Sequence, residues 1–302
     1  MKLLSCQNLV KKYGSTNALD GVDLVLEAGA PIALIGPNGA GKTTLFSIMC
    51  GFLRSSAGNI EVLGSKPGSA ALHGRLAALP QDAQLDPRFN IGHQLVLFAR
   101  LQGFSSKDAK AEAMRVLEQV DLPETFVAKP EALSHGMGKR VLFAQALMGK
   151  PELILLDEPT AGLDPPNVKV MRNLISESAS GASFIISSHN LDELEKVCSS
   201  VVHLEKGKLK SVVSIDQAKN SGYLTLVMAE LTAPVEQITA VLSAIAGVRG
   251  VSFNAPNRFL LDYDAANYPL LDQQVMQKVS ANGWKYRQLV NGRTLEDQLY
   301  FD

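Results

Sequence analysis

The chain has 302 residues, 46% hydrophobic and 20% charged, enough to bury a full core and to leave room for two domains. Its net charge of −1 and pI near 6.5 exclude a global basic field for nucleic acid. Cys6, Cys50 and Cys198 form no C-x-x-C pair and read as reduced core thiols, no apolar run approaches the roughly 18 residues of a membrane span, and the start MKLLSCQNLVKKYG enters domain sequence without a signal-peptide core.

In chain order, the pattern predicts an antiparallel β element over about residues 2 to 27, with Tyr13 ahead of the first strand pair. A short strand follows at Pro31 to Ile35, then a glycine-rich loop, the helix former TTLFSIMC and a hairpin region ending near Gly64. Residues from about 88 to 150 read as an inserted helical subdomain: IGHQLVLFARLQG, DAKAEAMRVLEQV at helical spacing, and a third helix capped by Ser134 with its body at Lys139 to Met148. The strand LILLDE follows, then a helix that Asp164-Pro165 opens and Gly181 ends, the strand SFIISS running to His189, and a small hairpin turning at Lys206-Gly207-Lys208.

The tail from about Gly222 alternates as strand, helix, strand, strand, helix, strand, the β-α-β-β-α-β order of a ferredoxin-like sandwich. The division expected is therefore 1–218 and 219–302. In RFLLDYD, Phe259, Leu261 and Tyr263 alternate with Leu260 and Asp262 and mark one buried face. Nine of the 18 aromatic residues lie in this tail, Trp284 among them, and read first as its core, second as a face for dimerisation or for a partner. Six basic against eight acidic residues there, with no aromatic stacking motif, argue against RNA binding.

Chemistry concentrates in the first domain. Gly36, Pro37, Asn38, Gly39, Ala40, Gly41, Lys42, Thr43 and Thr44 fit the phosphate-loop pattern G-x-x-x-x-G-K-[ST], fed by an apolar strand and followed by a helix. The glycines let backbone N–H groups face phosphate oxygens, Lys42 reaches the β/γ-phosphates, and the Thr43 hydroxyl can ligate Mg²⁺. Asp157 and Glu158 end a fully apolar strand, so its carboxyl edge delivers two acids where phosphates would lie. On an extended backbone the two would project to opposite sides, so that one acid can face the metal's shell and the other an attacking water. His189 stands at the end of another strand, while His73, His93 and His203 show no ligand spacing.

With Gln81, Leu133-Ser134-His135-Gly136-Met137 and Ala161-Gly162-Leu163-Asp164 added in this order along the chain, residues 3 to about 215 resemble an ABC-transporter ATPase subunit. The resemblance implies a P-loop α/β ATPase domain with an antiparallel β subdomain and the inserted helical subdomain. It implies that Tyr13 stacks on adenine, that Gln81 belongs to the Q-loop, and that Thr43, Gln81 and Asp157, the last directly or through water, hold Mg²⁺. Glu158 would be the catalytic base, His189 the switch histidine, and Lys42 and Gln81 further members of the hydrolysis site. Ser134 and Gly136, with His135 and Met137 in the same signature, would touch the γ-phosphate of ATP on a second subunit, and Asp164 would be the D-loop aspartate.

His135 and Met137 depart from the usual Gly and Gln, both of which the exporter-type branch often varies, and TLEDQLYFD at the end resembles that branch's terminal helix. The expectation is an ATP- and Mg²⁺-dependent head-to-tail dimer of this chain with itself or a homologous subunit. It would sit at the cytoplasmic face of the membrane and drive a separate permease, with export the favoured direction. The alternative is a soluble ABC ATPase acting on ribosomes or DNA, which usually needs a tandem second ATPase domain or a long coiled coil.

Overall fold

The structure, a computed structural model, describes residues 1–215, 222–254 and 256–293, and its contacts divide the chain into two units, Met1–Val212 and Val213–Asp302. In the first unit, β1 (Lys2–Tyr13) and β2 (Thr16–Glu27) pair as an antiparallel hairpin. Tyr13 is therefore the last residue of β1 and not upstream of the pair. The chain turns back near Gly64, but only through a single antiparallel bridge between Val62 and Ser65; the strand partner of β4 (Ala57–Val62) is the free edge of β1, giving the order β2-β1-β4. The reason is burial: Leu4, Leu9, Leu19, Val22 and Val62 all enter one core with Leu45, Phe46, Ile48 and Met49 of α1 (Lys42–Met49).

β3 (Ile32–Ile35), β6 (Leu153–Asp157) and β7 (Ser183–Ser187) are buried at every position, as strands covered on both faces must be. With β5 (Leu76–Leu79), β8 (Ser200–Glu205) and β9 (Lys208–Ser214) they form a sheet in the order β5-β6-β7-β3-β8-β9, parallel from β5 through β8. The turn into β9 has positive φ at both Lys206 (49°) and Gly207 (78°), the geometry that matches strand twist in a two-residue hairpin.

The helical subdomain holds α2 (Ile91–Leu101), α3 (Ser106–Gln119) and α4 (His135–Ala146), capped by the side chains of Asn90, Ser105 and Ser134, each cap contributing about 1 kcal/mol. α4 ends two residues short of the expected Met148. Buried Glu112 ties α3 to the turn after α4, accepting from Arg115 and from the Gly149 N–H at 2.7 Å.

The second unit carries β10 (Tyr223–Met228), β11 (Val248–Asn254), β12 (Arg258–Tyr263) and β13 (Tyr286–Asn291), with helices Val235–Ser243 and Leu271–Ala281 between them. Its sheet order β11-β12-β10-β13, antiparallel throughout, is that of the ferredoxin-like sandwich. Trp284 falls just before β13 instead of inside it, and packs with Phe259, Tyr263 and Leu261 in the core. Leu260, expected on the opposite face, is buried as well. The expected boundary at 218/219 and the terminal segment 294–302 lie outside the described residues.

Candidate functional site

A parallel sheet brings the carboxyl ends of its strands to one edge, and the order β6-β7-β3 makes three of those ends neighbours. The register is specific: Ser187 pairs with Leu34 of β3 on one side and with Asp157 of β6 on the other. The phosphate loop, the acid pair and the segment leading to His189 therefore leave the sheet side by side.

The loop itself is shaped by its glycines. Gly36 has φ 147°, and a Cβ there would run into the Leu204 carbonyl of β8; Gly41, at φ 105°, would place one 2.5 Å from the Ala18 carbonyl oxygen. Gly41 is also the N-cap of α1 and offers no side-chain acceptor, so the first N–H groups of that helix keep their capacity for an anion. Lys42 is buried and donates to the Gly36 carbonyl at 2.7 Å and the Pro37 carbonyl at 3.4 Å, filling with its own ammonium the hollow that the loop encloses.

Across from it, Thr43 Oγ1 donates to Asp157 Oδ2 at 3.1 Å, and Ser187 Oγ donates to Asp157 Oδ1. Asp157 and Ser187 are both buried. The Glu158 N–H donates to the Ser187 carbonyl at 3.1 Å and lies 3.2 Å from its hydroxyl. Ser187 thus orients both acids, a role not expected from the sequence; the available signal is a hydroxyl that follows the apolar run Phe184 to Ile186 at the buried end of the strand.

Glu158 does not continue the strand. It turns out of β6 into the left-handed region at φ 49°, which costs a non-glycine residue about 1 kcal/mol or more. Opposed projection along an extended backbone therefore does not describe the acid pair; the reversal of the chain, held by two contacts to Ser187, is what separates their directions. Glu158 Oε2 meets His189 Nδ1 at 2.9 Å, with the imidazole largely exposed and the carboxylate largely buried.

The remaining candidates fall elsewhere. Tyr13 is exposed, 5.2 Å from the Lys11 amine. Gln81 is exposed in the turn after β5, where its carbonyl accepts from Lys139 of α4 at 3.3 Å, and its amide is outside the cluster around Asp157. Ser134 caps α4, its Oγ accepting from the Met137 N–H at 3.2 Å, with His135 exposed beside it. Gly136 packs without room for a Cβ against Asn167, whose side chain donates to Asp164 Oδ1 at 2.7 Å. Asp164 also caps α5 (Pro165–Ser178), so the start of α4 and the start of α5 form one unit, separate from the phosphate loop.

The ABC transporter family pattern matches residues 19–161. The uncharacterized ABC transporter ATP-binding protein YhaQ of Bacillus subtilis is 36% identical over 207 residues, 68% of this chain and 69% of its own length. The linearmycin resistance ATP-binding protein LnrL of the same organism is 29% identical over 288 residues, covering 93% of this chain and 91% of LnrL. Nod factor export ATP-binding protein I of Burkholderia orbicola is 36% identical over 205 residues, 67% of each chain. Among solved structures, an ATP-binding subunit of an ABC transporter superposes with TM-score 0.64 at 28% identity over 72% of this chain and 92% of its own. The ADP conformation of the cassette MJ1267 does so with TM-score 0.63 at 26% identity over 72% and 94%. A phosphate loop, two acids and a histidine joined at one sheet edge, and relatives of this identity over two thirds of their length, identify the chain as a member of the ABC transporter family, an ATP-binding and ATP-hydrolysing subunit.

Proposed function

We infer that this subunit powers export through a separate membrane permease, binding ATP with Mg²⁺ and closing head-to-tail on a second copy of itself or a homologous subunit at the cytoplasmic face of the membrane. The observation that carries the hydrolytic part is the chain of contacts Thr43–Asp157–Ser187–Glu158–His189 beside the phosphate loop. In this reading Tyr13 stacks on adenine, Gly36 to Thr44 hold the phosphates, and Lys42 exchanges its loop carbonyls for phosphate oxygens. The Thr43 hydroxyl and the Asp157 carboxylate are hard oxygen donors of the kind Mg²⁺ takes, with Gln81 joining on closure. Held by these residues, Mg²⁺ would supply charge neutralisation for the β- and γ-phosphates. Glu158 then orients and accepts a proton from the attacking water, and His189 holds Glu158 in place. Ser134, His135, Gly136 and Met137 meet the partner's γ-phosphate.

Export rests on the relatives. LnrL is named for resistance to linearmycin and spans nearly all of both chains, the second unit included, and the Burkholderia relative is named for export of Nod factor. Action on ribosomes or DNA finds no support among these relatives. Co-purification of the tagged chain with a polytopic membrane protein is the test; recovery with ribosomes or DNA and no membrane partner would overturn it.

The permease contact is a groove of about 710 Å³ lined by Phe52, Leu72, Ala77, Phe98, Leu101 and Leu142. Within α2, Leu101 lines this groove and is 75% exposed, Leu95 is buried in the subdomain, and Leu97 is exposed outside the groove. Phe52, 74% exposed, lines the same groove from the segment after α1. Leu101→Glu or Phe52→Glu should abolish transport in the assembled complex while the free subunit keeps its ATPase; loss of the free subunit's ATPase as well would assign the groove to the core.

We also place residues 1–218 and 219–302 in separate domains. Deletion after Ser214 should leave ATP affinity within about twofold, because the site residues all precede Asn190, and should change dimer lifetime or permease pairing instead. Loss of nucleotide affinity in a folded truncation would refute the division.

A further inference from the structure

His189 is held to the site by little of its own: its side chain is mostly exposed, and the contact it makes is with Glu158 at 2.9 Å. Its position therefore depends on its flanks. On one side Ser188 is buried and its Oγ accepts from the Asn190 N–H at 3.1 Å; on the other Asn190 caps α6 (Leu191–Leu194), accepting from the Glu193 N–H at 3.3 Å. A single turn of helix does not hold its shape unaided. α6 is fastened by buried Leu194 and by Glu193, whose Oε2 takes Arg172 Nη1 of α5 at 3.0 Å, each side chain about one-fifth exposed (22% and 20%).

Arg172 and Glu193 also line a seam with Pro159 and Thr160, the residues that follow Glu158, and with Ser188. α5 begins at Asp164, the residue whose carboxylate positions Asn167 against Gly136. One ion pair thus joins the helix that starts at the D-loop to the segment that carries the histidine.

We propose that Arg172 is a positioning residue for hydrolysis, acting through Glu193 to set His189 against Glu158. This rests on the role given to His189 under the proposed function. A partly exposed pair adds little to global stability, so its loss should register in turnover more than in unfolding. A reacting group displaced by about an ångström can lose up to about a hundredfold in rate, and an indirect displacement should cost less, about tenfold.

The test is steady-state ATPase of the full chain in four forms: wild type, Arg172→Met, His189→Ala and the double variant, with Arg172→Lys as the charge-retaining control and thermal unfolding of each. Arg172→Gln replaces Arg172→Met if the latter is unstable. The expected result is a kcat about tenfold lower for Arg172→Met with KM for ATP unchanged, most of the rate recovered in Arg172→Lys, and no further loss when the change is added to His189→Ala. An Arg172→Met kcat equal to wild type, or an equal further loss in the His189→Ala background, overturns the proposal while leaving the His189 reading intact. If His189→Ala itself turns over at the wild-type rate, the His189 reading fails and Arg172 fails with it.

Discussion

Glu158→Gln protein should hydrolyse ATP at least about two orders of magnitude more slowly than wild type, the range lost with general-base help. The substitution keeps the shape of the side chain and can keep a hydrogen bond to His189, now 2.9 Å from Oε2. It removes the basic oxygen and one negative charge beside the phosphates. ATP affinity should therefore survive or rise, and because hydrolysis reopens the pair in the proposed function, the variant should elute as an ATP-bound dimer in size-exclusion chromatography with Mg²⁺. Near wild-type turnover would remove Glu158 from the mechanism.

The left-handed backbone at Glu158 adds a second expectation of opposite sign. Glycine enters that region without penalty, so Glu158→Gly should unfold at a temperature no lower than Glu158→Gln while being equally inactive. A residue type that its own backbone disfavours, held by Ser187 from both its carbonyl and its hydroxyl, is one placed for chemistry at some cost in stability.

Gly36→Ala should lose nucleotide binding and fold stability together. Its φ of 147° lies where side chains are strained, and the added methyl would collide with the Leu204 carbonyl, backbone of the buried strand β8, and come 2.9 Å from Ala40 Cβ. Neither neighbour is the flexible end of a long side chain, so the loop itself must shift, at about 3 kcal/mol. Urea unfolding would read the stability and titration with a fluorescent ATP analogue the affinity. Lys42→Ala separates the two: it removes the phosphate-binding amine but only that residue's bonds to its own loop, so binding should fail while the urea midpoint stays near wild type. An alanine at 36 that binds ATP normally would mean the cradle tolerates a displaced backbone.

How much of this is legible in the sequence varies with the range of the interaction. Capping is local, and Ser134 and Asp164 are readable as N-caps because their side chains bond the backbone three residues ahead. The apolar run 153–156 declares a strand buried on both faces. The β-α-β-β-α-β order of the tail is readable from alternating periods, and the strand order agrees with it. By contrast, β4 reads from the sequence as half of a local hairpin, because its partner, β1, lies some fifty residues earlier and apolar pattern names a strand without naming its neighbour.

The sequence by itself determined the family and singled out the loop Gly36 to Thr44, the acid pair and His189 as candidates, because those depend on residue type and spacing along one segment. Only the tertiary structure decided how they act on one another. That Ser187 stands between Asp157 and Glu158, that Glu158 reverses out of its strand, and that Arg172 reaches Glu193 across two helices follow from which strands and helices become neighbours. The same holds for the groove, in which Phe52, Leu101 and Leu142 come from three distant segments. Hydrophobic pattern specifies that a face is buried, and the packing of all faces at once specifies against what.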